Sequence, residues 1–187
     1  MAEDALRKDL NECPVLRKGD YEYFIHPLTD GIPVIKPEIL RSVAERFIDI
    51  LDLNCDVIVT VEAMGIPTAA AISLLTGIPI TVIRKRQYGL PGETKVQQVT
   101  GYSKNELYIN GLKEGDRVVI VDDVISTGGT MCAILDTLIN IIGCEVVDAG
   151  VIFRKSDVTD MVAQRFGIDI RSLFRVEVRD GHLTVLD

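Results

Sequence analysis

Val118-Val119-Ile120-Val121-Asp122-Asp123-Val124-Ile125-Ser126-Thr127-Gly128-Gly129-Thr130 is an apolar, β-branched run that ends in two carboxylates and passes into a small-residue loop. The pattern predicts a strand over 117–121, a glycine turn, and a helix over 130–142. Continuous Val and Ile suit a strand buried on both faces, as in a parallel sheet covered by helices. Working outward, 56–61, 78–83 and 145–152 share that character, and 67–75 reads as a helix entered from another glycine turn. An earlier helix, 37–51, opens with Pro37 in its first turn and sets Ile39, Val43, Phe47 and Ile50 at helical spacing, a stripe that belongs to the core. This alternation predicts an α/β fold, a parallel sheet flanked by helices, whose ligands sit at the strand-to-helix turns.

Two stretches depart from the rhythm. Residues 84–108 carry charges, Tyr88, Gly89, Pro91, Gly92 and Gly101, and are too long for an ordinary connection, so a lid or binding loop is expected there. Residues 176–185 alternate around Arg179-Asp180-Gly181, the pattern of a hairpin with an Asp-Gly turn.

The 187 residues suffice for one α/β domain spanning 1–187 and are short for two. A net charge of -8 argues against nucleic acid or an anionic membrane as partner, so any phosphate site has to be local. Cys13, Cys55, Cys132 and Cys144 lack CxxC spacing and nearby histidines, which leaves buried, reduced thiols as the reading. No apolar run reaches the length of a membrane span, and the acidic, polar start is unlike a signal peptide; the expected location is the cytoplasm. His26 and His182 are isolated and are assigned no chemistry.

The chemistry follows from the first-quoted stretch. Gly128 and Gly129 let backbone N–H groups close around a phosphate, Ser126, Thr127 and Thr130 add hydroxyl donors, and the helix N-terminus adds a favourable dipole. Asp122 and Asp123 can accept from the two hydroxyls of a ribose, directly or through a magnesium shell. Together they fit a sugar phosphate. No Lys follows the glycines, so this is not the phosphate loop of nucleoside triphosphatases.

These thirteen residues resemble the signature by which type I phosphoribosyltransferases bind phosphoribosyl pyrophosphate (PRPP). The resemblance implies that Asp122 and Asp123 hold the ribose and its Mg2+, and that Ser126 to Thr130 hold the 5'-phosphate. Glu62-Ala63-Met64-Gly65 resembles the family's short pyrophosphate loop, which often has Arg where Met64 stands and carries a non-proline cis peptide nearby. Arg84-Lys85-Arg86, followed by Leu90-Pro91-Gly92-Glu93, looks like a segment of adenine and xanthine phosphoribosyltransferases. There it implies cations for the pyrophosphate and a homodimer with shared sites. Residues 95–108 stand where the family has a flexible hood that excludes water, with Tyr102 the residue expected near the site. The glutamate-rich hood sequence of adenine-specific relatives is missing.

Phe153-Arg154-Lys155-Ser156 occupies the position where relatives contact the purine. The resemblance makes Lys155 the reader of a 6-oxo group, since an ammonium only donates, and Phe153 a candidate stacking partner. The N-terminal stretch 14–37 is expected to flank the base pocket. As a whole the chain resembles most the hypoxanthine/guanine phosphoribosyltransferases of archaea, enzymes of purine salvage that make IMP and GMP. Adenine or xanthine transfer is the alternative, followed by a PRPP-sensing regulator without catalysis.

Overall fold

A computed structural model describes residues 10, 13–19, 21–96, 106–155, 159–179 and 181–186. Strands β1 (Val15–Lys18) and β2 (Tyr21–Phe24) form an antiparallel hairpin ahead of a one-turn helix α1 (Pro27–Asp30) and the long α2 (Pro37–Ile50). Then follow β3 (Val57–Val61), α3 (Gly65–Thr76), β4 (Ile80–Ile83), β5 (Thr94–Val96) and β6 (Leu107–Ile109). The chain continues through β7 (Arg117–Ile125), α4 (Gly129–Asp136), β8 (Glu145–Lys155), α5 (Thr159–Phe166), β9 (Ile170–Arg179) and β10 (His182–Leu186).

Six strands form one sheet in the order β10-β9-β8-β7-β3-β4. Neighbours are parallel except at the β10 edge, which pairs antiparallel with β9. The sheet is mostly parallel, as the alternation of strands and helices predicts, and its one antiparallel neighbour is the edge strand β10. The expected hairpin at 176–185 is present, but its first strand begins at Ile170.

Along β3 and β7 successive side chains enter opposite layers. Ile58, Val119 and Val121 join α2 and α3, while Val59, Val118 and Ile120 join α4. This explains the uninterrupted Val/Ile runs: both faces are covered, and each fully buried side chain contributes about 1.5–3 kcal/mol. In α2 the core stripe is Ile39, Val43, Ala44 and Phe47; Ile50, expected in that stripe, is exposed, and the core contact at that end passes to Leu51. The helix predicted over 130–142 is helical throughout, but its second half, Thr137–Ile142, widens into a π-helical turn. Among the described residues no helix is long and apolar enough to cross a membrane.

Chain order creates the site. From β3 the chain goes to β4 on one side, and from β7 it goes to β8 on the other, so the crevice lies between the C-terminal ends of β3 and β7.

Candidate active site

β7 continues through Asp122 and Asp123 to Ile125, four residues beyond its predicted end, because both carboxylate residues stay in the β8 ladder region: Asp122 pairs Val151 and Val124 pairs Phe153. The loop Ser126-Thr127-Gly128 follows, with Gly128 at φ 73° as the helix cap. That left-handed conformation lets the chain turn into α4 within a single residue. Asp122, Ser126, Thr127, Gly128 and Thr130 line a small recess of about 70 Å3.

The carboxyl of Asp122 is held above the ordinary carboxylate range, first by burial and next by the charge of Asp123. That of Asp123 is also raised, chiefly by burial. Asp122 Oδ1 accepts the Asp123 backbone N–H at 2.9 Å, which orients the Asp122 carboxylate. A half-buried acidic pair of this kind favours a cation or hydroxyl donors brought by a ligand. Among the described residues no third His, Cys, Asp or Glu joins them to form a protein metal cage. Magnesium ordinarily takes one or two carboxylates and fills its shell with water and substrate oxygens, so this donor set fits it.

Asp123 also lines a second recess of about 240 Å3, together with Tyr23, Thr29, Asp30, Ser126 and Lys155. The two recesses share Val124 and Ser126, which makes them contiguous. The Lys155 ammonium lies 4.9 Å from the centre of the Phe24 ring. Phe153, a candidate stacking partner from the sequence, has a different place. The ring is fully buried, edge-on to Phe24 and His26 with centroids 5.4 and 5.3 Å away, and has no face for a base. It is a core residue supporting the pocket wall.

At the end of β3 the Glu62–Ala63 peptide is cis, as the family pattern implies. Gly65 opens α3 so close to both β3 and β7 that an added Cβ would lie 2.3 Å from Thr60 Oγ1 on the first and 2.8 Å from Asp122 Oδ1 on the second. Met64 packs toward Gly31, at the end of α1. Glu62 makes two contacts with the segment that follows β4. Its carboxylate pairs with Arg84 Nε at 2.9 Å and accepts the Lys85 N–H, tying this turn to the cationic segment. Arg84 is fixed further by paired backbone bonds with Tyr108, 2.9 and 2.7 Å. Lys85 and Arg86 are exposed, and Arg86 lies 5.6 Å from the Tyr88 ring centre. Glu93 accepts the N–H groups of Tyr88 and Gly89, each at 2.9 Å, and so closes the intervening loop.

Within the stretch where a lid is expected, the described residues pair β5 antiparallel with β6, Val96 opposite Leu107. Tyr102 lies outside the described residues. Several parts of the site escape the sequence reading: Thr29 and Asp30, the Glu62 clasp, and the space requirement at Gly65. The one usable signal was His26-Pro27 followed by Asp30-Gly31, a Pro at a helix start and a Gly at its end. His26 is structural, its Nδ1 accepting the Leu28 N–H at 3.1 Å. An apolar groove of about 220 Å3 between Cys13, Pro27, Ile32 and Ile39 lies apart from the acidic pair and includes none of the predicted site residues.

A twisted, mostly parallel sheet with an acidic pair and a phosphate-sized cradle at its switch point defines a sugar-phosphate-binding protein. The chain belongs to the phosphoribosyl transferase domain family, whose pattern matches residues 34–170. It is 50% identical over 182 residues to a hypoxanthine/guanine phosphoribosyltransferase of Methanobacterium lacus, covering 97% of this chain and 95% of the relative. A protein of the same name from Methanocaldococcus infernus is 50% identical, with 96% and 98% covered. An HGPRTase-like protein of Halorubrum lacusprofundi is 48% identical, with 98% and 97% covered. In fold the chain is similar to adenine phosphoribosyltransferases from Thermoanaerobacter pseudethanolicus (TM-score 0.72, 24% identity, 92% and 99% covered) and Leishmania donovani (TM-score 0.74, 18% identity, 93% and 79% covered).

Proposed function

We propose that this protein is a cytoplasmic, homodimeric purine-salvage enzyme that transfers the 5-phosphoribosyl group of PRPP to hypoxanthine or guanine, giving IMP or GMP and pyrophosphate. The observation that carries the reading is the contiguity of the two recesses. One offers amides and hydroxyls for a 5'-phosphate, the other a lysine for a 6-oxo group, and the acidic pair stands between them.

In the reaction the bond from ribose C1 to the pyrophosphate oxygen breaks, and the bond from C1 to N9 of the base forms. The proton of N9 passes to solvent. Positive charge develops on the sugar, and the carboxylates of Asp122 and Asp123 stabilise it while fixing the ribose hydroxyls. Ser126, Thr127, Gly128, Gly129 and Thr130 anchor the far end of the sugar, so the displacement occurs in a fixed orientation. Ala63, Met64 and Gly65 present backbone to the leaving pyrophosphate, and Arg84, Lys85 and Arg86 offset its charge. Exposed Lys85 and Arg86 suit a shared site in which one subunit reaches the other's pyrophosphate. When bound at Asp122 and Asp123, Mg2+ supplies charge neutralisation for the departing group. No covalent nucleophile is required. Lys155 favours the O6 acceptor and disfavours the amino group of adenine.

Pyrophosphate release should be assayed with PRPP and each of hypoxanthine, guanine, xanthine and adenine, with and without a chelator. The expected result is magnesium-dependent release with the first two. Release with neither would overturn the proposal.

A further inference from the structure

Helix α1 consists of one turn, set by Pro27 at its start and Gly31 at φ 71° at its end. That short element brings Asp30 into the wall of the recess that also holds Lys155 and Asp123. Two hydrogen bonds, from the His26 N–H at 3.0 Å and the Thr29 hydroxyl at 2.6 Å, both end on Asp30 Oδ2. The carboxylate is thereby oriented, while Oδ1 accepts no hydrogen bond among the described residues. An acceptor with no donor capacity and Lys155, a donor with no acceptor capacity, thus share one cavity.

The Watson–Crick edge of a 6-oxopurine has the complementary pattern. O6 is an acceptor and the adjacent N1–H is a donor; guanine adds the N2 amine as a second donor on the same side. We propose that Asp30 is a specificity-determining residue that accepts from N1–H, and from the N2 amine of guanine, while Lys155 donates to O6. This rests on the purine-transfer reading above and ranks bases within it. Guanine presents two donors to the carboxylate and hypoxanthine one. Xanthine places the lone pairs of O2 where guanine has its amine, and adenine reverses the edge at both positions. A polar site rejects such mismatches strongly, because its own groups are left facing like groups.

The test compares kcat/KM for guanine, hypoxanthine, xanthine and adenine in the wild-type enzyme and in Asp30→Asn. The variant keeps an oxygen for the His26 N–H but replaces a pure acceptor by a group that also donates. Selection of guanine over xanthine should fall on the order of 10- to 100-fold, the range for a hydrogen bond to a charged group. The KM for PRPP should stay within about twofold, because the ribose contacts are unaltered. A second measurement needs no variant: wild-type enzyme should reject 1-methylguanine, which lacks the N1 proton.

A wild-type enzyme inactive on every 6-oxopurine would sink this inference together with the purine-transfer reading. A wild type active on guanine, with base selection unchanged in Asp30→Asn, would sink the inference alone. So would efficient use of 1-methylguanine, or a variant altered only in its KM for PRPP, which would place Asp30 on the sugar.

Discussion

Gly65→Ala offers a sharp test of the site's geometry. The new Cβ would lie 2.3 Å from Thr60 Oγ1, whereas ordinary contact begins at 3.4 Å, leaving the atoms about 1.1 Å too close. Thr60 is fully buried on a central strand and cannot swing into solvent. A second overlap, 2.8 Å from Asp122 Oδ1, adds to the first, and the carbonyl of Val121 stands 3.2 Å away. Relief therefore requires the N-terminus of α3, or the Asp122 carboxylate, to move by roughly 1 Å. Overpacking of this kind costs about 1–3 kcal/mol, and each kcal/mol lowers Tm by about 2–4 °C in a chain of this size. The catalytic penalty should be larger, since a 1 Å misplacement of catalytic groups can cost about 100-fold. Adding Thr60→Ala removes the closest contact and leaves the one to Asp122. The double variant should recover much of the stability and little of the turnover. The measurements are thermal unfolding and kcat/KM for PRPP. A Gly65→Ala enzyme with wild-type values of both would refute the reasoning.

Four further outcomes follow from the site. The double variant Asp122→Asn with Asp123→Asn should fold and show no turnover; full activity would discredit the assignment of the acidic pair. Because burial raises both carboxyls in the folded state, their contribution to stability is greatest below the ordinary value of 3.8 and is lost as pH rises through the raised values. The double variant should accordingly gain in Tm over wild type as pH increases above 4, and a gap that narrows instead would contradict this sign. Glu62→Gln should weaken the tie to Arg84, a partly exposed pair worth about 1 kcal/mol at most, and lower kcat/KM for PRPP up to roughly fivefold while base selection is unchanged. Altered base selection would show that Glu62 acts elsewhere. Lys155→Ala should reduce use of 6-oxopurines far more than PRPP binding, measured by base kinetics beside calorimetric titration of PRPP; an equal fall in both would remove Lys155 as base reader.

The layers and the cradle are written in the order of the residues. Uninterrupted Val/Ile runs have one comfortable environment, a sheet covered on both sides, and small residues after an apolar strand leave the backbone available to a phosphate. The composition of 118–130 thus carried both fold class and phosphate chemistry, since local backbone freedom and side-chain polarity are written residue by residue. Which residues face each other across the crevice is set by the packing of the whole fold. It placed Phe153 in the core, because a lone Phe near a strand end has no periodic signal for its environment. It directed Glu62 to Arg84, 22 positions away in the chain, and brought Asp30 beside Lys155 across 125 positions. It also made Gly65 a matter of space, since the start of α3 packs against Thr60 on the strand before it and against Asp122 on the adjacent strand. Contacts of that range depend on strand order and register, which the side-chain alternation of any one segment does not encode.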